Sequence, residues 1–235
     1  MTGTVLNSAT IFIGAAAGLF LRRKLSKTFE DRMLQAMGIF TLALGFSMFL
    51  KTSAPLIALV SLVAGGALGT WWGLTGHLNR LGEAVKSLIR RTGLPVNAQF
   101  TEGFVTASIL FCVGPMTILG SLNDGLRGDY ELLAIKSAMD FVAAFSLAAT
   151  LGWGVMVSAL TVLVMEGGIT LSASWLSPVL SNDRVVADLS GLGGLIIIII
   201  GFKLVGLGKW EPADFLPALV LAPLVTWTVL TLKLF

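Results

Sequence analysis

Apolar residues run along most of the chain in stretches of about 20 positions, with polar residues gathered into short stops between them. A helix needs roughly 20 such residues to cross about 30 Å of hydrocarbon at about 1.5 Å per residue. Eight stretches meet that length, at roughly 3–21, 33–50, 54–74, 101–121, 131–151, 153–174, 187–206 and 213–233. The pattern predicts an all-α, polytopic transmembrane helical bundle of about eight spans. Between the third and fourth spans the period changes. Over Gly76–Arg91 the residues Leu78, Leu81, Val85, Leu88 and Ile89 recur at helical spacing, with Arg80, Lys86, Arg90 and Arg91 on the other face. That is the pattern of a short helix lying in the membrane surface, with a solvated connecting helix as the alternative. Gly93-Leu94-Pro95 breaks it, and a second half begins near Phe100.

Composition agrees. Of 235 residues 55% are hydrophobic and 12% charged, about half the charge of a typical soluble domain. The lone Cys112 excludes an intramolecular disulfide framework, and the lone His77 excludes a His-rich metal site. No basic stripe with interleaved aromatics speaks for nucleic acid. The basic cluster Arg22-Arg23-Lys24 follows the first apolar stretch rather than preceding it, so that stretch reads as a retained helix and not a cleaved leader.

Lys and Arg set the orientation. With the loop after span one in the cytoplasm, that side receives Arg22, Arg23, Lys24, Lys27, Arg32, Arg80, Lys86, Arg90, Arg91, Lys203 and Lys209. The opposite side receives Lys51, Arg127, Arg184 and Lys233, together with acidic loops around Asp124–Glu131 and Asp183–Asp188. Both termini then face away from the cytoplasm.

A repeat is suggested at an offset of about 100. Gly3, Ser8 and Gly14 match Gly103, Ser108 and Gly114, and after a one-residue slip Phe29-Glu30 matches Tyr130-Glu131 and Phe40 matches Phe141. The single transmembrane domain 1–235 would then hold a first unit at 1–75, the surface helix and linker at 76–99, a second unit at 100–180, and two further spans at 181–235. Three spans per unit would invert the second unit, a recurrent plan of secondary transporters. A rival match sets Gly38 and Gly45-Phe46 against Gly194 and Gly201-Phe202 with the same spacing.

The chemistry-bearing residues gather in Phe100–Asp140. Pro115, beside Gly114, sits near the middle of span four; it lacks an N–H and crowds the carbonyl of Phe111, so the helix must kink there. A carbonyl freed in lipid must be re-satisfied by protein, water or ligand. Asp140 lies about 13 Å along span five, at 1.5 Å per residue, and a central Asp usually faces a cavity or a partner. Lys136 is one turn away and can pair with it or snorkel outward. Ser137 lies beside Lys136. Glu166 precedes Gly167-Gly168 in span six, where it marks either a helix interruption facing a cavity or a helix end. Asn7 and Ser8 hold the repeat-related position to Ala107 and Ser108, with interhelical hydrogen bonding as the default role. Asn123 and Asp124 read as a turn before Gly125, Glu102 as a helix-start residue favoured by the dipole, and Cys112 as a small core residue. Gly14, Gly18 and the ladder Gly65, Gly69, Gly73 allow close helix contact, and Trp71 and Trp72 mark a membrane boundary.

Glu102-Gly103-Phe104, Leu110-Phe111-Cys112-Val113-Gly114-Pro115-Met116, Asp124-Gly125-Leu126 and Lys136-Ser137 with Asp140 occur in that order. In them the chain resembles the YqgA/YdfK-like family of bacterial membrane proteins of unknown function, whose signature runs E-G-F, L-F-C-x-G-P-M, D-G-L, K-S-x-x-D. The resemblance implies a multi-pass protein of the bacterial inner membrane and supplies no reaction.

The expected function is a secondary transporter of a small polar or charged solute, working by alternating access around a mid-membrane polar site. Its binding residues would be Asp140, Lys136, Ser137, Ser108, Gly114, Pro115, Asn7 and Glu166. The alternatives are an oligomeric channel, and a non-transport scaffold or enzyme. Nothing matches the phosphate loop G-x-x-x-x-G-K-[ST], and no cofactor, metal or catalytic residue is implied. The expected partners are the bilayer, the solute and a second copy of the chain.

Overall fold

The computed structural model describes residues 1–22, 26–91, 98–180, 182–208 and 210–231. Arg23, Lys24, Gly93-Leu94-Pro95, Lys209 and Lys233 lie outside them. Eleven α-helices and one 3-10 turn make up the described chain: α1 Thr2–Arg22, α2 Lys27–Phe49, α3 Pro55–Trp72, α4 Leu74–Arg91, α5 Phe100–Cys112, α6 Pro115–Arg127, α7 Glu131–Leu151, α8 Trp153–Leu171, α9 Ala173–Leu180, α10 Asp183–Leu204, the turn Pro212–Phe215 and α11 Ala218–Thr231. Seven segments are long and apolar enough to cross a bilayer singly, and α5 with α6 forms an eighth, bent by 61°. Surfaces follow membrane logic. Ile13, Ile39, Val60, Val63, Leu160 and Val164 are exposed, while Thr4, Asn7, Ser61, Ser158 and Glu166 are buried.

Close approaches at glycines fix the helix directions. Gly3 lies against Tyr130 and Leu133, Gly14 against Phe141 and Gly18 against Phe145 and Ala149, so α1 and α7 run parallel. Thr4 shares a 3.1 Å hydrogen bond with Thr170 and Asn7 bonds to Glu166 at 2.8 Å, so α1 and α8 are antiparallel. Gly65 meets Ala218 and Gly69 meets Asp214, which makes α3 and α11 antiparallel as well. A parallel α1 and α7 require an odd number of crossings between them. Helices α2 and α3 supply two, and the bent pair supplies the third. It begins where the Phe100 carbonyl meets Gly154, near the Arg22 end, and finishes where Gly125 meets Thr170, near the Met1 end. The chain therefore runs the length of the bundle eight times.

The helices pair into two bundles that are not contiguous in sequence. Helices α1 and α5–α9 pack on one another, as do α2, α3, α10 and α11, with sparser contact between the sets. Five cavities lie along the seam, each lined from both bundles. The rival glycine match has a direct cause: Gly45 packs on Gly194 and Gly38 on Gly201, so α2 and α10 share a spacing because they meet across it. The repeat of units 1–75 and 100–180 is not mirrored in this pairing. It would set α5–α6 against α2 and α3, as α1 sits against α7 and α8, whereas the extensive contacts of α5–α6 are with α8, α9, α7 and α4.

Several sequence-based boundaries move. Helix α3 stops at Trp72 because Gly73 takes a left-handed conformation (φ 62°); Gly73 is a cap and not the third rung of the packing ladder. The surface helix starts at Leu74, packs on α5 through Gly82 and Thr101, and exposes Leu81 and Leu88. Asp124 is not in a turn. It lies within α6, which runs on to a left-handed cap at Gly128 (φ 70°). Helix α10 begins at Asp183, where the Asn182 side chain caps it, so Asp188 belongs to the span and not to an outer loop.

Candidate functional site

Four of the predicted residues converge. Asn7 projects from α1, Lys136 and Asp140 from α7, and Glu166 from α8. Asn7 lies five residues from the start of α1, Lys136 five from the start of α7 and Glu166 five from the end of α8. At 1.5 Å per residue each sits about 8 Å inside the Met1 end, and Asp140 about 14 Å. The cluster therefore lies inside the bundle, with three of its four residues nearer the Met1 end. Small residues allow this convergence: Gly14 and Gly18 bring α1 onto the backbone of α7, and Gly167 admits Met1 and Thr4 of α1 beside α8.

The Asn7 carboxamide donates through Nδ2 to Asp140 Oδ2 at 3.1 Å and to Glu166 Oε1 at 2.8 Å. Lys136 Nζ pairs with Asp140 Oδ2 and lies 3.5 Å from Glu166 Oε1. Rotating the amide would turn its carbonyl onto two carboxylates, so the assignment of its N and O is compelled by charge. All four side chains are buried, Glu166 completely. One ammonium thus faces two carboxylates. Two acceptors are left without a donor, Glu166 Oε2 and Asn7 Oδ1.

Asp140 also reaches the seam. With Met37, Phe40, Thr41 and Leu44 of α2, and Leu110 and Phe111 of α5, it lines a cavity of about 50 Å³. That exceeds the ~15 Å³ one water needs, and the buried Thr41 hydroxyl there has no partner. A groove lined by Met37, Phe40, Met139 and Val142 adjoins it.

The remaining predicted residues lie apart from the cluster. Helix α5 ends at Cys112, Val113 and Gly114 are extended, and α6 restarts at Pro115, a full break rather than a kink. The Phe111 carbonyl accepts from Thr117 Oγ1 at 3.1 Å, so protein re-satisfies it. Cys112 lies within electrostatic reach of Lys136, Asp140 and Glu166, which brings the break close to the cluster. Ser137 donates back to the Leu133 carbonyl at 2.6 Å, and Ser108 donates to Thr161 on α8 at 3.2 Å. Helix α8 continues unbroken through Gly167-Gly168. Those glycines do not interrupt it, because the space they leave is partly filled by α1.

Two buried carboxylates were assigned to outer loops from the sequence. Asp188 is fully buried; its Oδ1 accepts from Thr52 Oγ1 (2.8 Å), Ser53 N (3.1 Å), Ser53 Oγ (3.0 Å) and Ala54 N (3.1 Å), and its Oδ2 from Thr226 Oγ1 (3.0 Å). Asp124 accepts from Gly3 N at 3.0 Å and pairs with the Met1 amine at 2.9 Å, over the positive end of the α1 dipole. The Thr52-Ser53 pair ahead of Pro55 was the available signal for an anion there.

These features define a multi-pass helical membrane protein, with seven apolar spans, a bent pair as an eighth candidate, and an ionisable cluster enclosed beside that pair. A family model described as Protein of unknown function (DUF554) matches residues 2–227, and the chain belongs to that family. It is similar to the uncharacterized membrane protein YdfK of Bacillus subtilis (strain 168), 28% identical over 233 residues and 97% of each chain. It is also similar to the uncharacterized protein YqgA of Escherichia coli (strain K12), 28% identical over 230 residues, 96% of this chain and 97% of the relative. No solved structure gives a significant match.

Proposed function

We propose that the chain is a secondary transporter of the bacterial cytoplasmic membrane, moving a small polar or charged solute by alternating access. The cluster of Asn7, Lys136, Asp140 and Glu166 is its exchange site. One observation carries this reading: the cluster is charged, buried and incompletely partnered, whereas Asp188 receives five donors. Fixed charges that serve only structure are disadvantageous against apolar packing unless every lone pair is met. Asp188 satisfies that condition and acts as a structural anchor. The cluster does not, and has acceptors to spare for something that comes and goes.

The two bundles supply the moving parts. Rocking across the seam would open Asp140 first to one side and then to the other. At the Arg22 end a cavity of about 290 Å³, lined by Asn79, Glu102, Thr106, Ile109, Lys203 and Glu211, forms a polar mouth. From it, cavities lined by Ser108 and Cys112, then by Gly114 and Ser190, follow α5 to its break. The extended pair Val113-Gly114 is the hinge about which α6 tilts relative to α5. The chain acts with no catalytic residue or cofactor, alone or as a homo-oligomer.

The test is electrical. Proteoliposomes on a solid-supported membrane are challenged with gradients of small carboxylates, amines and amino acids, using wild type and Asp140→Asn. At least one class should give a wild-type current that falls at least tenfold in the variant. A folded wild type that gives no current above protein-free vesicles for any class would remove the transport reading.

A further inference from the structure

The two orphaned acceptors belong to groups that already share a hydrogen bond. Asn7 Nδ2 donates to Glu166 Oε1, and Asn7 Oδ1 and Glu166 Oε2 are the atoms left over. Two acceptors cannot satisfy one another. One added proton changes that, because an acid and a carboxamide can close a ring of two hydrogen bonds, N–H to carbonyl and O–H to carbonyl.

We propose that Glu166 is a proton-carrying residue, held protonated at Oε2 with its O–H donated to Asn7 Oδ1. It deepens the transport reading by naming the exchanged ion as H⁺. The step balances simply: a hydronium reaching the cavity beside Asp140 gives up its proton and leaves as water, and the Glu166 carboxylate becomes the acid. The two carboxylates and one ammonium then carry no net charge. Both orphan atoms gain partners, and Lys136 is left to Asp140 alone.

The groups around Glu166 fit this assignment. From α7 it meets Lys136 and Asp140, from α1 the neutral Asn7, and from α5 Cys112 lies within electrostatic reach. On α6 the acidic Asp124 is engaged with Gly3 and the Met1 amine, and α9 carries no titratable residue. Among the described residues facing it, Lys136 is the one cation, and Asp140 is nearer to it.

Infrared difference spectroscopy on the full chain in proteoliposomes reads the proton directly. A protonated-acid C=O band should be present in wild type at neutral pH, vanish in Glu166→Gln, and shift to higher frequency in Asn7→Leu. Glu166→Gln retains a two-bond ring with Asn7, so its unfolding temperature should match or exceed that of wild type, which separates loss of the band from misfolding. Absence of the band from wild type, or its survival in Glu166→Gln, overturns the assignment. So does an absent band together with a Na⁺-dependent rise in unfolding temperature that Glu166→Gln abolishes, since the missing partner is then a metal cation. A band without solute current keeps the proton and removes the transporter; current without the band does the reverse.

Discussion

Lys136 is the residue on which the cluster's charge balance turns. Replacing it with Met leaves the Asp140 carboxylate enclosed without its cation, and breaking a buried pair from one side costs roughly 3–5 kcal/mol. Lys136→Met should therefore lower the unfolding temperature sharply in detergent, and adding Asp140→Leu should recover part of the loss. Strict additivity in that double-mutant cycle would show that the two side chains do not interact. Asp188→Ala should be destabilising by about 3 kcal/mol, because it strands donors from Thr52, Ser53, Ala54 and Thr226; equilibrium unfolding in detergent measures it. The solute current should survive in the fraction of that variant that folds. The contrast reflects what was legible in the sequence. Asp140, Lys136 and Glu166 stand inside apolar runs, where an ionisable residue demands a reason. Asp188 stands at a span's edge, a few residues after Asn182, Asp183 and Arg184, where an acid passes for a loop residue, and its burial depends on donors 134 to 136 positions away.

Helices carry a different kind of constraint, set by how near two backbones come. A Cβ on Gly154 would lie 1.9 Å from the Phe100 carbonyl oxygen, and one on Gly69 1.9 Å from that of Asp214. Neither neighbour can yield without moving a helix, so Gly154→Ala and Gly69→Ala should each be destabilising by about 1–3 kcal/mol. Gly76 of the surface helix has open space where a Cβ would stand, and Gly76→Ala should instead raise stability by about 0.5–1 kcal/mol through helix propensity. Thermal unfolding of the three variants checks the ordering. Helix existence was readable from apolar run length, and the break in span four from Gly114-Pro115. Helix partners were not: Gly65 and Gly69 announce a close contact, but whether with α11 or with another copy depends on surfaces that meet only after folding. The same limit let α2 and α10 pass for relatives when they are neighbours.

At the scale of the molecule, eight crossings require that the α5–α6 pair traverse the bilayer. With Cys112→Ser as background, His77→Cys and Asp129→Cys should react with a membrane-impermeant maleimide from opposite faces of sealed vesicles. Labelling of both from one face would make the pair a re-entrant loop and contradict the parallel contact of α1 with α7. The described cations support the same arrangement. Arg22, Lys27, Arg32, Arg80, Lys86, Arg90, Arg91 and Lys203 lie at one end, and Lys51, Arg127 and Arg184 at the other.

Asp188 also bears on the order in which the protein is made. The turn that starts α3 emerges from the ribosome early, yet the acceptor for its Thr52, Ser53 and Ala54 donors is synthesised more than 130 residues later. Until α10 enters the membrane, the turn between α2 and α3 lacks its anchor, and Gly38 and Gly45 of α2 lack the helix face on which they pack. Synthesis therefore leaves the second bundle unfinished while α1 and α5–α9 are already complete in sequence. A chain stopped before α10 would leave the Thr52, Ser53 and Ala54 donors without the carboxylate that latches the α2–α3 hairpin.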